Sequence, residues 1–220
     1  MDFFYEAHSR AEPDRHNPQR QCDLGAHNSV QNSAKLEEMI QVDLLNPAGQ
    51  TESATLDRPL EHLVACHRRI EDKLSVLERA VTHLEDRTEE ALHACRSVFT
   101  FLDGSGMLHT EDEEESIFPR IRLHATGEEL AYLDSLELQH RDVEGVVARL
   151  RNLTKQLERD PGLLPVRVAL VETARKLVEL YRAHIASENE VLTGIGHVRL
   201  DEVALAEIAF EMRLRRSRGV

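Results

Sequence analysis

The chain has 220 residues, enough for one well-buried domain with sequence left over, and its formal net charge is −13. Acidity on that scale argues against a nucleic-acid partner and against an anionic membrane surface, because phosphate binding needs a basic face. Tryptophan is absent, aromatic residues make up 4% of the chain, and strand-like β-branched runs are missing, so the abundant Leu, Ala and Glu point to an all-α protein.

Cys22, Cys66 and Cys95 are few, odd in number and widely spaced, with no CxxC. Neither a disulfide framework nor a thiolate zinc site is expected, and a reducing compartment is the simpler reading. Met1-Asp-Phe-Phe-Tyr-Glu has no basic segment followed by an apolar run. No apolar stretch approaches the roughly 18 residues that span a bilayer, so a cytoplasmic location is expected.

Residues 1–54 are rich in Asn, Gln, Ser, Pro and charge, and read as a flexible N-terminal arm. One short helix is expected within it over Ala34–Leu45, while His8, His16 and His27 lie in irregular sequence and read as solvated. Residues 55–220 read as the folded domain. Asp57 as N-cap and Pro59 in the first turn open a long helix whose apolar positions are Leu60, Leu63, Ile70, Leu74, Leu77, Val81 and Leu84. The place missing between Leu63 and Ile70 is taken by His67, which should therefore point inward, whereas His62 and His83 fall off the seam and should be solvated.

A second helical segment is expected over about Glu89 to Phe118, with Leu92, Cys95, Phe99, Leu102, Gly106, His109, Glu113 and then Ile117 or Ser116 on its seam. Asp103-Gly-Ser-Gly106 should weaken or kink it just before His109, and Pro119 should end it. Glu111, Asp112, Glu114 and Glu115 read as a solvated face. Thr126-Gly-Glu-Glu129 resembles a capping box opening a third helix to about Asp160, with His140 the only ionisable group on a seam of Leu133, Leu136, Val143, Val147, Leu150, Thr154 and Leu157.

Pro165 starts a fourth helix with seam Leu170, Ala174, Leu177, Tyr181, His184, Glu188 and Val191, and Thr193-Gly-Ile-Gly196 reads as a break. A shorter fifth helix over Asp201 to about Arg215 carries Leu205, Ile208 and Met212 on one side, with a basic last turn that suits the helix dipole. The whole is expected to be an up-and-down antiparallel four-helix bundle with a short C-terminal fifth helix.

His109 and Glu113, and again His184 and Glu188, are four residues apart, so each pair shares one helix face. Together with His67 and His140 they make six inward polar positions, and in a bundle whose helices reverse direction these meet at one height. Each unpartnered buried polar group costs about 1–3 kcal/mol, so something must satisfy them. Two metal ions do so, each taking imidazoles and sharing the two glutamates as bridges. Nitrogen and oxygen donors without thiolate suit iron, and would also hold manganese or zinc. Six protein ligands leave open positions for a bridging oxygen and a small molecule. Tyr181, one turn before His184, is either a core tyrosine or a hydrogen-bond donor behind the metal.

His67-Arg-Arg-Ile, His109-Thr-Glu-Asp-Glu-Glu-Glu-Ser-Ile-Phe-Pro119, Leu-Gln-His140 and His184-Ile-Ala-Ser-Glu-Asn-Glu-Val-Leu192 resemble the hemerythrin-like (HHE cation-binding) family over roughly Asp57 to Arg216. The resemblance implies a four-helix bundle with a non-haem di-iron centre that carries an oxo or hydroxo bridge, with His67, His109, Glu113, His140, His184 and Glu188 as ligands and the two glutamates bridging. The oxygen-carrying members have a further histidine one turn from that of the third helix, where this chain has Leu136 and Glu144. That departure points away from simple reversible oxygen carriage and leaves one iron more open. The expected function is binding of, or reaction with, O2, NO or peroxide in sensing or stress defence. The alternative is an iron-handling or signalling module in which metal occupancy governs a protein partner of the arm or the fifth helix. No general acid or base is identifiable from sequence, so turnover of peroxide or NO stays open.

Overall fold

A computed structural model describes residues 56–218, all within a compact unit spanning Ala48–Val220. The expected arm, its Ala34–Leu45 helix, Cys22 and the three early histidines lie outside the described residues. Those residues that are described form helices and connections, with no strand among them. In chain order they are α1 (Pro59–Thr82), α2 (Thr88–Phe101), α3 (Met107–Glu111), α4 (Phe118–Arg122), α5 (Gly127–Arg159), α6 (Leu164–Ser187), α7 (Thr193–Arg199) and α8 (Glu202–Ser217). Wide π-helical turns over Leu102–Gly106 and Asp112–Ile117 join α2, α3 and α4 without a break, and a third over Glu188–Leu192 joins α6 to α7. The described chain is thus five helical segments, 59–82, 88–122, 127–159, 164–199 and 202–217.

Local signals set some ends and not others. Thr126 caps α5 through a complete capping box with Glu129, and Asp201 caps α8 by accepting from the Ala204 N–H. The first helix begins one residue later than expected, with Arg58 at the N-cap and no side-chain cap. Asp57 instead pairs with Arg213 of α8.

Two expected breaks are continuous helix. Pro119 falls in the first turn after a π turn, where its missing N–H removes little and its fixed φ fits the helix. Thr193–Gly196 is helical as well, and the chain turns only at Leu200, which leaves the helical region. Gly196 has a packing role: a Cβ there would lie 2.9 Å from Leu60 Cδ2, so the missing side chain lets α7 press against α1. The π turn that precedes it adds a residue to the last turn of α6, so Leu192 is buried where the regular seam predicted Val191.

Contacts between segments fix their directions. Arg96 meets Glu158, Arg151 meets Asp103 and His140 meets Glu114, so 88–122 and α5 run oppositely. Arg182 reaches Glu71 and Glu78 while Asn189 reaches His67, so α1 and 164–199 also run oppositely. The arginine pairs among these contacts are largely exposed, contribute little energy and serve here as registration marks. The energy comes from two apolar clusters. One gathers residues such as Ile70, Leu77, Cys95, Leu150 and Leu177, and the other Leu63, Ile117, Phe118, Leu136, Ile208 and Met212. Cys66 and Cys95 are free and buried, and burial pushes the Cys95 thiol up to about 12, in keeping with a small hydrophobe. No helix among the described residues is long and apolar enough to cross a membrane.

Candidate metal centre

The two apolar clusters leave a polar layer between them. On α1, His67 sits between Leu63 of one cluster and Ile70 of the other; on α5, His140 sits between Leu136 and Val143. His109 and Glu113 lie between Leu102 and Ile117, and His184 and Glu188 between Leu177 and Leu192. All six are at most 6% exposed. In both His-xxx-Glu pairs the histidine lies in the last turn of a regular helical stretch and the glutamate in the π turn that follows, Asp112–Ile117 or Glu188–Leu192. Such turns are characteristic of functional sites because the extra residue re-aims a side chain.

His67 Nε2 lies 3.0 Å and His184 Nε2 3.3 Å from Glu188 Oε2. His140 Nε2 is 3.3 Å from Glu113 Oε2, and His109 Nε2 is 3.5 Å from Glu113 Oε1. His140 and His184 bring their Nε2 atoms to 3.1 Å of each other. Two groups result, His67–His109–Glu113–Glu188 and Glu113–His140–His184–Glu188, each with ligand atoms within 4.8 Å of one another. Each imidazole belongs to one group and each glutamate to both.

Whether these residues suit a cation is answered by their unsatisfied atoms. His67 Nε2, both nitrogens of His109 and all four carboxylate oxygens of Glu113 and Glu188 are buried without a hydrogen bond among the described residues. Such groups cost about 1–3 kcal/mol apiece. Cations held by the two groups would satisfy all of these atoms except His109 Nδ1, which lies on the far side of its ring, so the donor set fits metal.

The family model for the hemerythrin HHE cation binding domain matches residues 58–195, more than half of the chain and inclusive of all six residues. The chain belongs to the hemerythrin HHE cation-binding domain family. It is also similar to an uncharacterized protein of Haemophilus influenzae, 26% identical over 169 residues that cover 74% of this chain and 92% of that protein.

In this hemerythrin-like domain the outer nitrogens decide which way the inner ones face. His67 Nδ1 donates to Asn189 Oδ1 at 2.9 Å, His140 Nδ1 to Glu114 Oε1 at 2.7 Å, and His184 Nδ1 to Gln139 Oε1 at 3.1 Å. Those acceptors take the one proton of the neutral ring, so each neutral imidazole presents the lone pair of its Nε2 to the centre. The three orienting residues are chain neighbours of Glu188, Glu113 and His140 and each reaches across to a different segment. Asn189 and Gln139 carry no periodic signal and were missed by sequence reading. Glu114, expected on a solvated face, is partly buried by this contact.

Burial drives His109 well below the usual imidazole range, reinforced by His67, His184 and His140, and it holds His184 at about 4. At His140 burial is outweighed by the close, negatively charged Glu113 and by Glu114, which hold it up at about 9. His67 is likewise raised, since Glu188 outweighs burial, and the same contact lowers Glu188. Glu113 is raised by burial and then by the charge of Glu188. Without a cation the hemerythrin-like cluster therefore retains protons that a cation displaces.

Two further expectations are corrected. His62 and Asp112, read as solvated, are completely buried. Asp112 is held by Arg215 and, at 2.8 and 3.2 Å, by Arg216, both from the last turns of α8; Arg216 Nη2 also donates to His62 Nε2 at 3.1 Å. Burial and then Arg216 keep His62 neutral, with its pKa at about 4. The fifth helix covers a face that a four-helix seam leaves open to water. Its basic last turn forms buried ion pairs in addition to suiting the dipole.

A cavity of about 460 Å³ opens between 88–122, α5 and α6, with His109, His140, His184 and Tyr181 on its wall. Tyr181 is half-buried, packs against the first apolar cluster and borders this cavity, so core and cavity roles coincide. Burial, then Glu113 and Glu144, push its hydroxyl above the usual range, which keeps it protonated and able to donate into the cavity.

Proposed function

We propose that this domain is a non-haem di-iron protein in which His67, His109, Glu113, His140, His184 and Glu188 hold two ions within an up-and-down four-helix bundle closed by α8. The observation that carries the reading is the shared pair of buried, unsatisfied glutamates, each common to two sets of converging imidazoles. Iron so held supplies reversible redox chemistry and an electrophilic centre for a small oxidant such as O2, NO or peroxide. Asn189, Glu114 and Gln139 keep three Nε2 lone pairs aimed inward, and the apolar layers on either side exclude bulk water. Tyr181 lines the cavity from which such a molecule would approach, and its protonated hydroxyl supplies a hydrogen-bond donor there.

Metal analysis with optical spectra tests this directly. Protein loaded with ferrous iron and exposed to air should hold two irons per chain and develop ligand-to-metal charge-transfer absorption that NO alters. Protein that retains no iron after loading would remove the reading.

The cavity rim favours uncharged ligands. Glu111, Glu114, Glu115 and Glu144 line it, while its Arg151 is already paired with Asp103. A fixed negative field repels anions and leaves neutral molecules unaffected. Azide should therefore bind weakly at low salt, bind better as ionic strength rises from about 0.01 to about 0.15 M, and bind several-fold better in Glu144→Gln, with NO binding unchanged in all cases. Titration of the charge-transfer band measures each; azide affinity that falls with salt would contradict the rim's role.

A further inference from the structure

The Asp112–Ile117 turn is gripped at both ends by one helix. Asp112 opens the turn and is fully buried, with Arg216 bonded to both of its oxygens and Arg215 to one. Near the other end, Arg215 Nη2 donates to Ser116 Oγ at 3.0 Å, and Arg120 donates to the Ser116 carbonyl at 2.9 Å while pairing with Glu211 of α8 at 2.8 Å. Glu113 lies between these anchors. Successive side chains on a helix diverge by about 100°, so when Asp112 faces α8 its neighbour Glu113 is directed elsewhere, here to the centre. The same Arg216 guanidinium reaches His62 on α1, five residues before His67. One side chain thus spans the two segments that carry His67 and Glu113.

Stability alone is a poor explanation for this arrangement. Buried ion clusters are commonly matched or exceeded by apolar residues of the same volume, because desolvation offsets the attraction. What a planar, bidentate guanidinium supplies that an apolar contact does not is a fixed orientation for the carboxylate it holds.

We propose that Arg215 and Arg216 are positioning residues for the metal centre: acting through Asp112, they hold the π turn that presents Glu113, so the C-terminal helix sets how tightly and how durably the centre retains its ions. This rests on the metal reading above. The proposal makes α8 a clasp on the site, with no contact of its own to the ions.

The test uses the full-length protein and Arg216→Ala, Asp112→Asn, their combination, and Arg213→Ala as a control on the same helix that pairs with Asp57 away from the turn. Unfolding midpoints are measured metal-free and iron-loaded, and iron loss to excess chelator is followed in time. In both single variants iron loss should accelerate about tenfold or more and the midpoint increment on loading should shrink, the double variant being no worse than the more severe single. Arg213→Ala should keep wild-type iron retention. Equal lowering of both midpoints, with increment and iron loss unchanged, would show a structural tie only and overturn the proposal. If Arg216→Ala does not fold, Asp112→Asn, which keeps the shape and one acceptor oxygen, carries the same comparison. A wild-type protein with no increment on loading would instead remove the metal reading, and the clasp with it.

Discussion

Stripping metal from the protein is expected to lower its unfolding midpoint sharply, and the difference between loaded and stripped protein should widen from about pH 6.5 to about pH 9. A cation that binds only the folded chain stabilises it by about 4 kcal/mol at a thousand times its dissociation constant. For a domain of this size that corresponds to roughly 8–16 °C, taking about 2–4 °C per kcal/mol. The pH dependence follows from His140. Its folded, metal-free pKa is raised to about 9, so the stability that its proton contributes is complete below the unfolded value and disappears as pH rises through 9. The bound cation requires the neutral ring and replaces that contribution, so the metal increment grows as the proton is lost. His184, held at about 4, is already neutral across this range and adds nothing to the trend. Loading at pH 7 in weak buffer should release protons. Melting curves of loaded and chelated protein at several pH values measure the effect; coincident curves, or an increment that shrinks with rising pH, would contradict it.

Substitutions within the cluster should separate by which group they enter. Glu113 and Glu188 belong to both sets of ligand atoms, while His67 and His109 serve one and His140 and His184 the other. Glu188→Ala should abolish retention of both ions, whereas His67→Ala or His184→Ala should leave about one ion per chain, as each imidazole serves a single position. Glu113→Gln should lose metal in the same way yet leave the metal-free protein at least as stable as wild type at pH 8. Burial and the charge of Glu188 already push the Glu113 carboxyl upward, so removing its charge relieves a cost on the order of 1–3 kcal/mol. Metal stoichiometry by elemental analysis, beside metal-free melting curves, tests both halves. Equal metal loss in His67→Ala and Glu188→Ala would mean the carboxylates are not shared.

The helical class, the polar layer and the six residues within it were legible in the sequence because helix periodicity records which face is buried. His67 and His140 each fill one place in an otherwise apolar seam, and the His-xxx-Glu spacing puts two donors on one face. Local chemistry also marked the capping box at Thr126. Periodicity did not reveal the π turns. Gly-rich and Pro-containing stretches read locally as breaks, yet 88–122 and 164–199 continue through them because packing on both sides outweighs local propensity.

The acidic run Glu111–Glu115 shows where sequence reading stops. Of its carboxylates, Glu113 is set inward by the helix period alone. Asp112 and Glu114 become structural because of residues far away in the chain: Arg215 and Arg216 come about a hundred positions later, and His140 arrives on an opposing helix. A buried charge is tolerable only with its partners in place, and Asp112 meets its partners only when α8 docks. The sequence by itself therefore determined the helices and the six inward donors. The tertiary structure alone decided which imidazoles go together around the shared glutamates, which neighbours orient them, and that a C-terminal helix grips the turn carrying one of those carboxylates.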